Sequence, residues 1–177
     1  MSNTEIANNF FSCYASAAKA KTEADQVKAY QGMHQYLDEA VTFSDMAYDN
    51  IKGKQVFAMW QWFCTKKPEP VKVTFDPSKT REEDGIVILV YRAQYIFGYD
   101  EKDSSKGKPI DYEITANLTI KNGKIIHHKD EADIKEWARQ AMGSFAAMIS
   151  CTPVFKWTLR CKAKKLLNDF MKANNYV

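Results

Sequence analysis

The sequence predicts one α+β domain in which helices come first and a curved antiparallel sheet follows. Apolar residues recur at helical spacing in the N-terminal part, alternate with polar residues after Pro70, and return to helical spacing near the C-terminus. The chain has 177 residues, of which 45% are hydrophobic and 27% charged. That length and balance are typical of a single globular domain that buries a core without metals or disulfides.

Three apolar stripes in the N-terminal part predict helices. The first two cover residues 5–20 and 23–39, and the third is a well-buried helix that begins after Gly53 and ends before the charged segment that starts at Lys66. The short apolar run 41–43 follows the second helix directly and is predicted to be a strand.

In the middle of the chain, apolar and polar residues alternate with the two-residue period of β-strands. Strands are predicted over residues 71–76, 86–99, 110–121 and 124–130. Asn122-Gly123, between the last two, is a strong hairpin signal. Residues 86–99 are apolar on both faces, so both faces are expected to be covered, one by the helices and the other by a second subunit.

Helical spacing returns over residues 133–142, ends at Gly143, and resumes in a last amphipathic helix from Pro153 to about Asn174. That last helix carries the basic residues Lys156, Arg160, Lys162, Lys164, Lys165 and Lys172. They are interpreted as a solvated face, because the formal net charge is only +3 and no base-stacking motif accompanies them. Neither a nucleic acid nor a membrane is an expected partner, and no apolar run is long enough to span a bilayer.

The four cysteines, Cys13, Cys64, Cys151 and Cys161, are scattered and form no CxxC pair. The N-terminus lacks the basic start of a signal peptide, so a cytoplasmic protein with reduced thiols is expected. The chain has no phosphate-binding glycine loop, HExxH motif or nucleotide fingerprint. We therefore expect no cofactor and no metal, and kinases, serine hydrolases and dehydrogenases are poor fits.

Two groups of short motifs resemble a known family. The first is Val41-Thr-Phe-Ser-Asp45 with Gly53 and the segment 57–60. The second is Gly123-Lys-Ile-Ile126, followed by Asp-Glu-Ala-Asp at 130–133 and Arg-Gln-Ala-Met-Gly at 139–143. Together they resemble the SnoaL-like and limonene epoxide hydrolase-like branch of the nuclear transport factor two superfamily, over roughly residues 8–143.

The resemblance implies a cystatin-like α+β barrel, a cone in which N-terminal helices wrap one face of a strongly bent sheet around a pocket. The pocket domain is accordingly assigned to residues 1–143. Residues 144–177 are assigned as a C-terminal helical extension of the same domain, which either closes the cone or builds a dimer.

The resemblance also implies an acid–base centre, because polyketide cyclases and steroid isomerases of the superfamily move a proton with a pocket carboxylate. Asp130 stands where the family often has an acid or base, and His128 shares its strand face and is able to relay a proton. Arg92 lies on the strand that carries Arg-x-Asp in the epoxide hydrolase branch. Gln94 takes the place of that Asp, which argues against a complete epoxide-opening triad.

Each catalytic candidate also has a structural interpretation. Asp130 can simply pair with Arg92, and Arg92 and Gln94 can form a buried hydrogen-bond network if their face looks inward. Asp133 precedes a predicted helix and is expected to be its N-cap.

Gln94, which is expected on the polar floor of the pocket with Arg92, His128 and Asp130, is a candidate for binding a ligand, and there are four others. Trp60 and Tyr112 are core aromatics first, and they become pocket wall where a pocket exists. Tyr48 is expected to direct its hydroxyl toward the pocket mouth. His34 lies on the helix that lines the cone in relatives, although a core histidine is the simpler interpretation. Such a wall implies a small apolar or aromatic ligand.

The sequence is therefore compatible with two functions. The first is a pocket protein for a small hydrophobic molecule, with Asp130, Arg92 and His128 serving a cofactor-independent isomerase, cyclase or hydrolase. The second is a non-catalytic ligand-binding or dimerisation module. In that case a homodimer forms through the outer sheet face, to which Tyr91, Tyr95 and Phe97 are assigned. Whether the chain is an enzyme is left open. An open cavity in which Arg92, Asp130 and His128 converge within hydrogen-bond reach favours the first function, whereas a filled core favours the second.

Overall fold

The computed structural model describes residues 1–176 apart from the side chain of Ser104, and this part of the chain folds into six α-helices and seven strands. The helices are α1 (Asn3–Ala17), α2 (Glu23–His34), α3 (Lys54–Thr65), α4 (Ile134–Met142), α5 (Ser144–Ile149) and α6 (Pro153–Ala173). The strands are β1 (Leu37–Ser44), β2 (Ile51–Lys52), β3 (Lys72–Phe75), β4 (Arg81–Glu83), β5 (Ile86–Phe97), β6 (Lys108–Lys121) and β7 (Lys124–Ala132). The α+β class is confirmed.

The strands form one sheet in the order β2-β1-β7-β6-β5-β3, with β4 paired to the first residues of β5. All pairs are antiparallel except β1 and β7, which run parallel. The prediction of a wholly antiparallel sheet was therefore wrong at this pair. A parallel pair needs a long crossover, and here the chain between β1 and β7 supplies it with α3 and five strands.

The hairpin between β6 and β7 is confirmed. Asn122 and Gly123 both have positive φ, 50° and 78°, as a two-residue type I′ turn requires, and Lys121 pairs with Lys124. The alternation predicted for β6 is also confirmed, because Ile114, Ala116, Leu118 and Ile120 are buried. This face looks toward the helices.

Helices α1 and α3 bury aromatic side chains against the concave face of the sheet. Phe10 and Phe11 of α1 and Trp60 of α3 are at most 1% exposed, and Phe10 packs edge-on against Trp60 with ring centroids 5.4 Å apart. The predicted third helix is confirmed. The second helix ends at His34, five residues earlier than predicted, because residues from Leu37 onward pair with β7.

The C-terminal helices follow the predicted pattern. Asp133 caps α4 by accepting from the backbone N–H groups of Lys135 and Glu136 at 2.8 and 3.3 Å, and Gly143 ends that helix with φ 92°. Helix α6 begins at Pro153 as predicted, whereas the short α5 was not predicted. Within the described residues, no helix is both long and apolar enough to cross a membrane.

Candidate functional site

The concave face of the sheet and the helices above it enclose a cavity of 340 Å³. Its walls come from β1, β5, β6, β7, α3, α4 and α6, and most of them are apolar or aromatic. The aromatic lining includes Tyr14, Trp60, Trp62, Tyr91, Tyr95 and Tyr112. A cavity of this size and composition is within the usual range for sites that bind small molecules.

Asp130 is one of two acidic residues that line this cavity. Its side chain is 8% exposed, and both carboxylate oxygens have partners. The Tyr91 hydroxyl donates to Oδ2 at 2.6 Å, and Nε2 of His128 lies 2.8 Å from Oδ1. Alternation along β7 places His128 and Asp130 on one face, as predicted. The carboxylate is therefore held in one orientation at the cavity wall.

His128 supports Asp130 from behind and is fully buried. Its ring lies within 5.1 to 6.1 Å, centroid to centroid, of the rings of Phe10, Phe11, Phe43 and Trp60. Within residues 1–176, Nδ1 of His128 has no hydrogen-bond partner. An ionised carboxylate only accepts hydrogen bonds, so Nε2 carries the proton when Asp130 is charged.

A second carboxyl group borders the same cavity. Oδ1 of Asp45 accepts from the backbone N–H groups of Ala47 and Tyr48 at 2.7 and 2.5 Å, as an aspartate at the start of a turn commonly does. Burial raises the pKa of Asp45 to about 7, and the charge of Asp130 acts in the same direction. Asp45 therefore changes protonation near neutral pH, a property that the sequence did not reveal.

The phenols of the wall keep their protons at neutral pH. Burial raises the pKa of Tyr14, Tyr91 and Tyr112 well above the ordinary value, with nearby charged and ionisable groups adding to it. Tyr95 has its pKa raised to about 12 by burial, and its hydroxyl accepts from the indole N–H of Trp137 at 2.8 Å. These hydroxyl groups are therefore potential hydrogen-bond donors.

Three of the predicted ligand-binding residues, Tyr48, Trp60 and Tyr112, line the cavity. His34 does not. It lies at the exposed end of α2 and packs its ring against Tyr30 and Phe57, with centroid distances of 5.9 and 4.5 Å. The reason is that α2 packs on α1 and α3 and lies outside the cavity wall.

Arg92 and Gln94 lie on the outer face of β5 and do not reach the pocket. Nε of Arg92 donates to Oδ1 of Asp111 at 2.6 Å, and Nε2 of Gln94 donates to Oδ2 of the same residue at 2.9 Å. The Arg92 side chain is 55% exposed. The expectation that these residues form part of the pocket floor is corrected, because a guanidinium stays in water unless it is paired in the interior.

The residues that were predicted to form an outer dimer surface also need a correction, because they face inward. Tyr91, Tyr95 and Phe97 line the cavity, so they do not form an outer surface. The sequence contained the signal that decides this, since Arg92 and Gln94 alternate with them on a strand that is otherwise apolar on both sides.

Lys66 also lines the pocket, although no pattern in the sequence predicted this. It follows α3, lines the cavity, and holds Nζ 4.4 Å from the centroid of the Tyr95 ring. Burial lowers its pKa to about 8. In the sequence it looked like the first residue of a charged loop, because only the fold turns it inward.

No model of a known protein family matches the sequence, and the sequence has no match among curated proteins. Solved structures do resemble its fold. A protein of Pseudomonas putida assigned as a polyketide cyclase superposes with a TM-score of 0.54 at 14% identity, over 79% of this chain and 98% of that one. An LEH-like epoxide hydrolase of M. tuberculosis superposes with a TM-score of 0.51 at 12% identity, over 78% and 96%.

A third structure carries the name of the fold. It is an NTF2-like protein of unknown function from Cytophaga hutchinsonii, with a TM-score of 0.50 at 12% identity over 75% of this chain and 92% of that one. At such identities the likeness concerns the fold and not the activity. The chain therefore has the fold of the nuclear transport factor two-like superfamily.

Proposed function

We propose that this protein binds a small apolar or aromatic molecule in the cavity and moves a proton on it with Asp130, as a cofactor-independent isomerase, cyclase or hydrolase. The observation that carries the proposal is the arrangement of Asp130, whose carboxylate borders an aromatic cavity while Tyr91 and His128 hold its two oxygens. A fixed carboxylate in an apolar site is suited to general acid–base catalysis.

The wall of the cavity supports an apolar or aromatic guest. Trp60, Trp62 and Tyr112 are among its lining residues, so an aromatic ligand has rings to pack against.

The proposed reaction follows from the side chains that border the cavity. Asp130 in its charged form removes a proton from a carbon next to a carbonyl, and His128 stabilises the carboxylate through its contact with Oδ1. The carbonyl oxygen then gains negative charge, which protonated phenols such as Tyr14 and Tyr112 stabilise by donating hydrogen bonds. In an isomerisation Asp130 returns the proton to a different carbon. In a cyclisation the carbanion attacks a second carbonyl carbon of the same molecule, and Asp130 gives the proton to the alkoxide oxygen that forms as this C=O π bond breaks.

The structural neighbours support the same classes, since one is assigned as a polyketide cyclase and another is an epoxide hydrolase. Epoxide opening by an arginine between two acids has the weakest support, because Arg92 and Gln94 contact Asp111 on the outer face of the sheet. Isomerisation and cyclisation require only the pocket carboxylate and are the preferred reactions.

The alternative is a binding protein without turnover, in which Asp130 only positions Tyr91 and His128. This alternative also includes a homodimer through the outer sheet face, but with contact residues other than those predicted from the sequence. The exposed apolar side chains of that face are Ile86 and Val90, at 40% and 37% exposure. A dimer is therefore expected to use them and not the aromatic residues of the cavity.

The proposal is tested by proton exchange, which needs no knowledge of the natural substrate. In deuterium oxide the protein is expected to accelerate deuterium incorporation next to the carbonyl of 2-tetralone, an apolar aromatic ketone, as followed by proton NMR. Asp130→Asn should abolish the acceleration and leave the circular dichroism spectrum unchanged, because the amide keeps the shape but is not a base.

Asp111→Asn is the matched control, because it changes an exposed carboxylate on the other face of the sheet. It should leave the exchange rate unchanged. Exchange that continues undiminished in Asp130→Asn would remove Asp130 from the mechanism. Binding of 2-tetralone without any acceleration would favour the binding protein.

A further inference from the structure

Lys66 places a positive charge in a cavity that is otherwise aromatic. Its Nζ lies over the ring of Tyr95 at 4.4 Å, and no carboxylate of residues 1–176 lies within 4 Å of it. A second lysine, the exposed Lys162 on α6, also borders the cavity. A charge taken out of water is costly unless an opposite charge accompanies it.

The two carboxyl groups of the cavity are held elsewhere. Asp45 accepts hydrogen bonds from its own turn, and Asp130 is bound to Tyr91 and His128. Burial is the cause of the lowered pKa of Lys66, and no acidic neighbour counteracts it. Neither carboxyl group is therefore the counter-charge of this lysine.

Lys66 and Asp130 occupy different parts of the cavity. The Asp130 carboxylate accepts its hydrogen bond from Tyr91 of β5, whereas Lys66 lies over Tyr95, four residues further along that strand. At a rise of about 3.3 Å per residue, roughly 13 Å of strand separates Tyr91 from Tyr95.

We propose that the ligand of this pocket is an amphipathic carboxylate, with its anionic group bound against Lys66 and its apolar or aromatic body extending toward Asp130. This inference deepens the proposed function and rests on the cavity being a ligand site. Lys66 then fixes the direction of the ligand, so that the end opposite the carboxylate meets the acid–base group. Lys162, at the α6 side of the cavity, adds a second favourable charge.

The test compares two probes that differ in charge and hardly in shape, 2-naphthoate and 2-naphthamide, titrated into the full-length protein at pH 7 in a calorimeter. The wild-type protein should bind the carboxylate about tenfold or more tightly than the amide, as expected for a charged hydrogen bond in an apolar site. Lys66→Met should remove that preference by weakening 2-naphthoate and leaving the affinity for 2-naphthamide about the same.

Two further variants serve as controls. Lys66→Arg keeps the charge and should keep the preference for the carboxylate. Lys67→Met removes the charge of the next residue, whose side chain is 58% exposed, and should bind both probes like the wild type.

The outcomes separate this inference from the proposed function. Equal affinity of the wild-type protein for the two probes, or a preference that persists in Lys66→Met, would overturn the carboxylate proposal and leave the pocket as a ligand site. Failure of both probes to bind would overturn the ligand site and, with it, this inference.

Discussion

The strand determines which way the Asp130 side chain faces, whereas the whole fold determines which residues it contacts. Its face on β7, shared with His128, follows from alternation along the strand and was predictable. Its contact with Tyr91 was not, because the partner lies 39 residues away along the chain on β5, with β6 between the two strands. The predicted pairing with Arg92 failed for a simple reason. Arg92 is one residue along from Tyr91 and so faces the other side of the sheet.

Asp45 provides a prediction about stability and pH. Its pKa is about 7 in the folded protein against an ordinary value of 3.8, so the folded state holds a proton that the unfolded state has lost. Stability falls with rising pH wherever the folded state binds more protons. Asp45 should therefore lower the free energy of unfolding progressively from about pH 4 to about pH 7, and its full cost should be present above that range.

Asp45→Asn should remove this cost. An amide oxygen still accepts the two backbone hydrogen bonds, yet it carries no charge. The variant should match the wild type near pH 4 and exceed it by on the order of 2 kcal/mol at pH 8, since each pKa unit corresponds to about 1.4 kcal/mol and solvent in the adjoining cavity screens part of the shift. Urea denaturation at a series of pH values measures the difference.

Asp111→Asn is the appropriate control for this series. The hydrogen bond from Arg92, followed by that from Gln94, lowers the pKa of Asp111, which is the opposite direction. The Asp111 variant should gain no stability over the wild type as the pH rises. A gain that is equal in both variants would show that Asp45 is not the cause.

At the scale of elements, local patterns determined most of what was predictable. The hairpin at Asn122-Gly123, the cap at Asp133 and the start of α6 at Pro153 each depend on a few neighbouring residues, and all three were confirmed. The short strands β2 and β4 were missed because two or three residues have no measurable period. The parallel pairing of β1 with β7 was missed because it depends on long-range packing.

The choice of inner face on β5 is the most instructive error. Both faces of this strand are rich in apolar residues, so periodicity alone did not distinguish them. The cost of burying a guanidinium does distinguish them, and it correctly directs Arg92 and Gln94 outward. Because burying Arg92 is costly, the residues that alternate with it, Tyr91 and Tyr95, are the ones that face the pocket.

Gly53 provides a prediction about how α3 is positioned. It has φ 48° at the start of the helix, and a Cβ atom placed there would lie 2.9 Å from the backbone carbonyl oxygen of Glu39. Gly53→Ala should therefore lower the free energy of unfolding by about 2–4 kcal/mol, because it adds a steric clash to an unfavourable φ. Chemical denaturation provides the measurement.

Gly85→Ala separates the two causes. Gly85 also has a positive φ, 78°, but a Cβ atom would meet nothing within 4 Å. This variant should lose only about 1 kcal/mol. Equal losses in both variants would mean that the contact with Glu39 does not constrain the junction between β1 and α3.

On the scale of the whole molecule, α6 joins the two sides of the cavity. Its C-terminal half is anchored on α3, where Leu167 is buried and the ring of Phe170 stacks on Trp62 with centroids 6.2 Å apart. Its N-terminal half packs Phe155 and Leu159 on a second apolar cluster around Trp137. Of the two roles expected for residues 144–177, closing the cone is therefore the one that these contacts support.

The two halves of α6 should respond differently to hydrogen exchange. In the absence of a ligand, the N-terminal half should exchange faster, because Arg160 and Asp49 form an exposed ion pair, which contributes little stability, and the single buried residue of the helix lies in the other half. With 2-naphthoate bound, exchange should slow over residues 155–166, since Phe155, Leu159 and Leu166 line the cavity.

Strand β4 is the internal control for this measurement, because none of its residues lines the cavity and its exchange should not change on binding. Mass spectrometry of peptides from the two regions is sufficient to compare them. Protection confined to the sheet would mean that the ligand lies below an uncovered opening. Protection that extends over α6 would mean that the helix and the sheet enclose the ligand together, and ligand entry would then require the N-terminal half of α6 to move away from the cluster around Trp137.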